Sequence, residues 1–239
     1  MNKKYTHVFF DLDNTLWNFE KNSQNAMFVA FHHFKLDNDT TFDLFFQIYT
    51  KHNHALWEGY RKKTVIKTEL TRLRFQDTFD ELNLIGVDAF EMNAFYLNEM
   101  PKQKELNEGV IEILDYLKKK RYHLYIITNG FKEVQLKKME TSGLKPYFEK
   151  IFISEDIKSP KPKREIFEYA IKSANAKKIN SIMIGDDWDV DVMGAVNYGI
   201  DAVHYDKNAT TKHIEIINSI RNSSSVCKIG VLNLLNVIL

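Results

Sequence analysis

Two aspartates follow the first apolar segment of the chain and are candidates for holding a divalent cation. Asp11 and Asp13 come directly after Val8-Phe9-Phe10, and residues two apart on an extended backbone point to the same side. Carboxylates held close together raise each other's pKa unless a cation or a shared proton compensates, and Mg²⁺ typically takes one or two carboxylates plus substrate phosphate. The pair predicts a magnesium site; the alternative is that both aspartates only cap a loop or helix.

A hydroxyl residue ends a second predicted strand. The segment Thr128-Asn129-Gly130 follows the apolar run up to Ile127 and opens a helical pattern. A hydroxyl together with the backbone N–H groups of a helix N-terminus can bind a phosphate. The alternative is an ordinary strand-to-helix turn in which Thr128 or Asn129 is the N-cap.

A lysine stands between two prolines further along the chain. Pro162 biases Lys161 towards an extended backbone, and we expect Pro162 to be the first residue of the helix that follows. This would fix where the ammonium group leaves the backbone, so that it could balance phosphate charge. The alternative is a solvated surface lysine.

A cluster of acids follows another predicted strand. Asp186, Asp187, Asp189 and Asp191 lie within six residues after Gly185. Asp186 is nearest the strand end and is the best candidate for a metal ligand, whereas Asp187 and Asp189 could each cap the helix that follows.

The elements that would position these residues alternate between strand and helix. Compact apolar runs with helical patterns between them predict an α/β fold with a Rossmann-like parallel sheet. Ligands of such sheets bind at the carboxyl ends of the strands, so the residues above should meet and form a magnesium-assisted phosphoryl-transfer site. A short strand at Cys227–Ile229 and a helix at Val231–Leu239 are also expected. The predicted core strands are His7–Phe10, His123–Thr128, Lys150–Ile153, Ser181–Ile184 and Ile200–His204.

The segment from about residue 22 to residue 100 interrupts this alternation. It contains four apolar stripes at helical spacing, which predict a small helical bundle inserted after the first strand. We expect the bundle to stand over the carboxyl end of that strand; the alternative is a set of helices packed beside the sheet. The stripes are Met27, Ala30, Phe31 and Phe34; Phe42, Phe45, Phe46 and Tyr49; Ile66, Leu70 and Leu73; and Phe90, Ala94 and Leu97.

Composition excludes several classes of protein. The 239 residues are 44% apolar and 27% charged, with nine Gly and four Pro, which does not fit collagen-like or low-complexity chains. The net charge of +1 gives no basic footprint for a nucleic-acid polymer. One cysteine, no signal-peptide pattern and no membrane-length apolar run predict a cytoplasmic protein that binds no membrane.

Together these segments resemble the four signature motifs of the haloacid dehalogenase superfamily of phosphohydrolases. The resemblance covers residues 5–17 and about 102–205, and it implies a catalytic core of residues 1–17 and 102–239 with a helical cap of residues 18–101. The motifs are Asp11-Leu12-Asp13-Asn14-Thr15-Leu16, Thr128-Asn129-Gly130, Lys161-Pro162 with Phe167, and Gly185-Asp186-Asp187 through Asp191.

The resemblance implies a role for each carboxylate. Asp11 would be the nucleophile that forms an aspartyl-phosphate. Asp13 would protonate the leaving oxygen and then activate water; an acid at this position favours phosphate esters, because a halide leaves without a proton. Asp11, the backbone carbonyl of Asp13 and Asp186 would bind Mg²⁺, with Asp187 and Asp191 supporting metal-bound water. Thr128, Asn129, Gly130 and Lys161 would hold the phosphoryl group.

A narrower similarity lies partly in the predicted cap. The segments at 53–60 and 70–75, and the core phrase at 127–131, look like the pyrimidine 5′-nucleotidase branch. Trp57 or Tyr60 could stack on a base; alternatively, Trp57 fills the bundle core. The expected substrate is thus a small-molecule phosphate ester, most simply a pyrimidine nucleoside 5′-monophosphate, hydrolysed by a monomer or homodimer. A phosphatase for an N-acylneuraminate 9-phosphate or flavin mononucleotide is the alternative enzyme, and a non-catalytic nucleotide- or phosphoprotein-binding module is the alternative class.

Overall fold

The computed structural model describes residues 5–207, 215–217, 226–229, 232 and 235. The chain divides into two compact units: residues 1–19 with 105–239, and residues 20–104. The boundaries expected from the sequence, after residues 17 and 101, differ from these by two or three residues. We call the first unit the sheet unit and the second the helical unit.

Nine α-helices and seven strands form the described part of the chain. Short 3₁₀ segments and one π-helical turn, Trp188–Val192, connect some of them. The strands are β1 (His7–Phe10), β2 (His123–Thr128), β3 (Lys150–Ile153), β4 (Ser181–Gly185), β5 (Asp201–Tyr205), β6 (Glu215–Ile217) and β7 (Val226–Ile229). The helices are α1 (Phe19–His33), α2 (Phe42–Lys62), α3 (Lys67–Leu82), α4 (Ala89–Glu99), α5 (Val110–Lys119), α6 (Lys132–Thr141), α7 (Ser154–Ile157), α8 (Arg164–Ser173) and α9 (Met193–Tyr198).

The strands form one sheet in the order β3-β2-β1-β4-β5-β7-β6. All neighbouring pairs are parallel except β6 with β7. The predicted α/β class and parallel core sheet are confirmed, and the bounds of β1, β2 and β3 are those predicted. Strand β5 begins one residue later than expected, and β7 begins at Val226 instead of Cys227. Most of the helix predicted at Val231–Leu239 lies outside the described residues.

The register of the central strands aligns the candidate residues at one edge of the sheet. Phe10 is the partner of Ile126 on β2 and of Ile184 on β4, and the backbone N–H of Asp11 donates to Ile184 O at 2.9 Å. Because the three strands run in the same direction, the residues after their carboxyl ends share one edge.

Apolar side chains cover both faces of the central strands. Successive strand residues point to opposite faces, and Val8, Phe9 and Phe10 are all fully buried. On one face, Phe9 packs in a cluster with Phe167 and Val196, from α8 and α9. A strand buried on both faces resists sliding, so the position of Asp11 is fixed along the strand direction.

The helical unit contains four helices, as predicted, but the stripe predicted on α4 is wrong and the one on α3 is right only in part, with Leu70 fully buried. On α3, Ile66 lies just before the helix and is 61% exposed, and on α4, Phe90 is 53% exposed. The buried faces include a polar pair instead: Arg74 Nε donates to Asn93 Oδ1 at 3.1 Å, and both side chains are buried. Polar residues on an inward face shift the apparent period of the apolar pattern, which explains the error.

The helical unit otherwise has a core rich in aromatic rings. Phe45 and Phe75 are fully buried, and Tyr49 packs against Phe75 with ring centroids 5.1 Å apart. The Arg74 guanidinium lies 5.3 Å from the centre of the Tyr96 ring, within the range of a cation–π contact. Within the described residues, no helix is long and apolar enough to cross a membrane.

Candidate active site

A buried lysine lies between two carboxylates at the carboxyl edge of the sheet. Lys161 Nζ is 2.5 Å from Asp11 Oδ1, 2.6 Å from Asp191 Oδ1 and 2.8 Å from the carbonyl oxygen of Ile127. The lysine is only 1% exposed, so the alternative of a solvated surface lysine is wrong. Burial alone lowers the pKa of Lys161, but Asp11 and Asp191 outweigh it and raise the pKa above its ordinary value. The ammonium group therefore stays charged.

Three carboxylates meet beside this lysine. Asp11, Asp186 and Asp191 each offer an oxygen, and these atoms lie within 4.8 Å of one another. Thr15 Oγ1 donates to Asp186 Oδ1 at 3.2 Å, and Asp191 Oδ2 accepts the Asp187 N–H. Asp191 was expected to support metal-bound water, and the structure places its carboxylate directly beside those of Asp11 and Asp186.

Lys161 alone does not neutralise the three carboxylates when all of them are ionised. Burial raises the pKa of Asp11 well above its usual range despite Lys161, and burial raises the pKa of Asp186 to about 7, with Asp191 adding to the shift. Burial also raises the pKa of Asp191. Asp191 Oδ1 is a buried oxygen without an aligned hydrogen bond, although Lys161 is near it. Three ionised carboxylates and one ammonium would leave two surplus negative charges, which a divalent cation would neutralise.

The side chain of Asn129 fixes the backbone of Lys161. Asn129 Oδ1 accepts the Lys161 N–H at 2.9 Å, and Asn129 Nδ2 donates to the Lys161 carbonyl oxygen at 3.0 Å. Asn129 is partly buried, and its amide side chain acts as a clamp between the loop after β2 and the loop before α8. The phosphate-binding role expected for Asn129 involves its backbone N–H and is compatible with this clamp.

The Lys161 loop differs from its prediction in one respect. Helix α8 begins at Arg164 with Lys163 as its N-cap, so Pro162 precedes the helix and is not its first residue. A turn closed by the Lys163 N–H and the Pro160 carbonyl, 2.9 Å apart, separates the prolines from the helix. The Lys161 backbone is held by this turn and by the Asn129 clamp.

Thr128 lies at the end of β2 and is 1% exposed. Its Oγ1 accepts the Gly130 N–H at 3.2 Å and the Gln135 side-chain N–H at 2.7 Å. A Cβ added to Gly130 would overlap the side chain of Gln135. The small residue is therefore required for Gln135 to reach Thr128, a relationship that the sequence did not reveal.

Asp13 points to a different set of partners from Asp11. Lys138 Nζ is 2.7 Å from Asp13 Oδ1, and Gln135 Nε2 donates to Asp13 Oδ2 at 2.9 Å. Neither α6 residue was predicted from the sequence. The available signal was their position: Val134, Gln135, Lys138 and Met139 form the buried face of α6, so a lysine and a glutamine occupy a stripe where apolar residues are usual.

Asn107 fixes the loop that follows Asp13. Its Nδ2 donates to the carbonyl oxygens of Asn14 and Thr15, and its backbone N–H donates to Leu16 O at 2.9 Å. Asn14 adopts a left-handed conformation with φ 61°, which asparagine tolerates better than most residues. These bonds hold the turn that presents Asp13.

One acid of the fourth motif, Asp187, caps the turn that follows it. Asp187 Oδ1 accepts the N–H groups of Asp189 and Val190, which is the capping role considered for Asp187. Both Asp187 and Asp189 are exposed. Gly185 allows Asp191 to approach the sheet, because a Cβ on Gly185 would overlap the Asp191 carboxylate.

Trp57 and Tyr60 lie on α2 of the helical unit. Both are partly buried, and their rings contact edge to face with centroids 5.6 Å apart. Trp57 is thus not enclosed in the way that Phe45 or Phe75 is. Recognition of a base by either residue stays a prediction.

The geometry of the sheet edge suits reactions of phosphate esters. A buried carboxylate, Asp11, is available as a nucleophile, and Lys161 supplies positive charge where negative charge would develop. Asp186 and Asp191 provide the oxygen ligands that Mg²⁺ prefers. Asp13 is the carboxyl group that an acid or base step would require.

Comparisons with known proteins agree with this chemistry. The haloacid dehalogenase-like hydrolase family matches residues 5–199. The chain is 31% identical over 199 residues to the pyrimidine 5′-nucleotidase YjjG of Escherichia coli, covering 82% of this chain and 84% of that protein. It is 30% identical over 214 residues to the pyrimidine 5′-nucleotidase PynA of Streptococcus pneumoniae, covering 88% of each.

The fold has a solved counterpart as well. A crystal structure of the putative HAD-hydrolase YfnB from Bacillus subtilis, bound to magnesium, is similar with a TM-score of 0.84 and 26% identity, covering 99% of both chains. The motifs at the carboxyl edge of the sheet, the family match and the similarity along most of the chain lead to one conclusion: this protein is an enzyme of the haloacid dehalogenase-like hydrolase family.

Proposed function

We propose that the protein is a magnesium-dependent phosphatase that hydrolyses small phosphomonoesters through an aspartyl-phosphate on Asp11. The observation that carries the proposal is the contact between Asp11 and Lys161 beside two further buried or half-buried carboxylates. A nucleophilic carboxylate, a cation for the phosphoryl group and oxygen ligands for a metal are the parts that phosphoryl transfer requires.

The residues present fit a magnesium ion. Asp11 and Asp186 would hold it, together with the backbone carbonyl of Asp13, and Asp191 would support it from its position against Lys161 and the Asp187 N–H. A bound cation would favour the charged form of Asp186, whose pKa burial raises, and would give the buried Asp191 Oδ1 a partner. When bound, Mg²⁺ would neutralise charge on the phosphoryl oxygens.

The first half of the reaction transfers the phosphoryl group to the enzyme. An Asp11 oxygen attacks phosphorus as the bond from phosphorus to the leaving oxygen breaks, and the Asp13 carboxyl group donates its proton to that oxygen. Lys161, the Thr128 hydroxyl and the Asn129 backbone N–H bind the phosphoryl oxygens, and the Gly130 N–H joins them by giving up its 3.2 Å bond to Thr128 Oγ1. The positive charges and dipoles are already in place, which is the efficient arrangement for stabilising developing charge.

The second half returns the enzyme to its starting state. Asp13, now ionised, accepts a proton from a water molecule as that water attacks phosphorus. The bond between phosphorus and the Asp11 oxygen breaks, and inorganic phosphate leaves. One carboxyl group thus serves as acid and then as base.

Pyrimidine nucleoside 5′-monophosphates such as UMP, dUMP or dTMP are the proposed substrates. Support comes from the two similar pyrimidine 5′-nucleotidases and from the partly buried Trp57 and Tyr60, whose rings could contact a base. The near-neutral charge supports a small-molecule substrate rather than a nucleic-acid polymer. We place the enzyme in the cytoplasm, where nucleotides are abundant and a single cysteine stays reduced.

The test is phosphate release from p-nitrophenyl phosphate. We expect activity that requires Mg²⁺, is abolished by a chelator and returns when Mg²⁺ is restored. Asp11→Asn should abolish it, whereas Asp189→Asn, which alters an exposed acid of the fourth motif, should not. Phosphate release that persists in Asp11→Asn or without any divalent cation would refute the proposal, as would a folded wild-type protein without activity.

A panel of monophosphates would then test the substrate class. We expect a pyrimidine nucleoside 5′-monophosphate to have the highest kcat/KM. Higher values for an N-acylneuraminate 9-phosphate, another sugar phosphate or flavin mononucleotide would identify the protein as the alternative enzyme. Binding of these ligands without turnover would indicate a non-catalytic module.

A further inference from the structure

We propose that Lys138 and Gln135 of α6 are positioning residues that orient the carboxyl group of Asp13 for proton transfer. The inference rests on the proposed function, because it requires Asp13 to be the acid and base of the reaction. It adds to that function two residues outside the four motifs, identified by their contacts with Asp13.

Each oxygen of Asp13 has its own partner on α6. Lys138 Nζ lies 2.7 Å from Oδ1, and Gln135 Nε2 lies 2.9 Å from Oδ2. Two donors on two oxygens fix the rotation of the carboxyl group, whereas a single contact would leave it free to turn. The orientation of a proton donor relative to the leaving oxygen strongly affects the rate of transfer.

Gln135 also connects Asp13 to the phosphate-binding side of the site. The same side-chain nitrogen donates to Thr128 Oγ1 at 2.7 Å, and an amide NH₂ group has two hydrogens to donate. Gln135 is 1% exposed. One buried side chain, Gln135, therefore fixes the position of the Asp13 carboxyl group relative to the Thr128 hydroxyl, which is proposed to bind the phosphoryl group.

Lys138 is itself confined by aromatic rings. Its Nζ lies 4.1 Å from the ring centre of Trp17 and 5.2 Å from that of Phe19, and the side chain is 2% exposed. Cation–π contacts and the enclosed stem keep the ammonium group in one place. Burial of a lysine is costly and a buried ion pair is weak evidence of a gain in stability, so the pair is better explained by its position against Asp13.

The experiment compares kcat/KM for two phosphate esters that differ in the need for a proton. p-Nitrophenolate leaves readily as an anion, whereas an alkoxide from a simple alkyl phosphate needs protonation as it leaves. For Lys138→Met we expect kcat/KM for the alkyl phosphate to fall by about tenfold or more, with a much smaller loss for p-nitrophenyl phosphate. Lys137→Met, at an exposed position of the same helix, should change neither value.

A double-mutant cycle shows whether Lys138 acts through Asp13. Asp13→Asn alone should show the same dependence on the leaving group, and Lys138→Met added to it should cause no further loss. A merely structural effect would reduce turnover of both esters equally and would add to the effect of Asp13→Asn. Either of these results would overturn the inference.

Gln135→Met provides the second variant if Lys138→Met does not fold. We expect a smaller loss shared by both esters, because Thr128 loses the Gln135 donor, and a further loss confined to the alkyl phosphate, because one Asp13 oxygen loses its donor. Asp13→Asn without any leaving-group dependence would show that the proposed role of Asp13 is wrong, and the inference would fall with it. A dependence for Asp13→Asn that neither α6 variant shares would overturn the inference alone and leave the proposed function intact.

Discussion

The ammonium group of Lys161 lies 2.5 Å from Asp11 Oδ1, although 150 positions separate the two residues in the chain. The contact forms because β1 and the loop before α8 end at the same edge of a parallel sheet. It joins the proposed nucleophile to the cation that would bind the oxygens of the phosphoryl group.

Loss of the Lys161 charge should reduce catalysis strongly. In Lys161→Met the carboxylates of Asp11 and Asp191 lose their shared cation, and the phosphoryl oxygens lose theirs. We expect kcat/KM for p-nitrophenyl phosphate to fall by about 10²–10³-fold. Lys163→Met, at the exposed N-cap of α8, is the matched control; equal activities of the two variants would contradict the prediction.

The pH dependence of stability should report the buried carboxylates. Burial raises the pKa of Asp186 to about 7 in the fold, while its pKa in the unfolded chain is about 3.9. Between these values the native state binds more protons than the unfolded state, so the stability of the metal-free protein falls as the pH rises from about 4 to about 7. Thermal unfolding of the chelated protein should show this loss between about pH 4 and pH 7 and little further change above it.

Asp186→Asn should reduce that loss, because the amide does not ionise. At pH 8 the metal-free variant should unfold at a higher temperature than the metal-free wild type, and Mg²⁺ should stabilise the wild type more than the variant. Asp189→Asn serves as the control, since Asp189 is exposed. If the variant and the wild type unfold at the same temperature at every pH and Mg²⁺ concentration, ionisation of Asp186 does not destabilise the metal-free protein.

The Asn129 clamp should contribute both to stability and to activity. Asn129→Ala removes two hydrogen bonds to the Lys161 backbone, and we expect a loss of about 1–2 kcal/mol in the free energy of unfolding. Activity should fall as well, because Lys161 is no longer held against Asp11. Urea denaturation measures the first effect, with Asn98→Ala at an exposed site of α4 as the control; unchanged stability together with unchanged turnover would count against the clamp.

Trp57 should affect the binding of a base rather than the chemical step. If the ring stacks on a pyrimidine, Trp57→Ala should raise KM for UMP by about 5- to 150-fold, from a stacking energy of about 1–3 kcal/mol. Turnover of p-nitrophenyl phosphate should change little. Phe90→Ala removes another partly exposed ring of the helical unit and is the control. A proportional loss for both substrates would indicate that Trp57 only packs within the bundle.

The sequence was sufficient to predict the sheet and its chemistry-bearing edge. Strands β1 and β2 are short apolar runs that end directly before Asp11 or at Thr128, and a parallel topology then requires their ends to meet. Asp186 could be added for the same reason, because it directly follows β4. Residues at strand ends are predictable because strand position determines where they lie, whereas Lys161, in the loop before α8, was indicated by its two flanking prolines.

The residues that support the site were harder to predict, because their role depends on tertiary contacts. Lys138 and Gln135 belong to a helix rich in lysine, where a further lysine usually faces solvent. The buried pair of Arg74 and Asn93 similarly obscured the inward faces of α3 and α4. In each case a polar residue is buried by a partner that is distant in the sequence, and local periodicity does not register such pairs.

The most direct test of the proposed mechanism is to trap the phosphoryl group on the enzyme. Wild-type protein mixed with a ³²P-labelled phosphate ester and Mg²⁺, then quenched in acid within milliseconds, should carry label on the peptide that contains Asp11. The label should disappear on a chase with unlabelled substrate and should be absent from Asp11→Asn. Rapid phosphate release with no labelled peptide, or label at another residue, would contradict nucleophilic attack by Asp11.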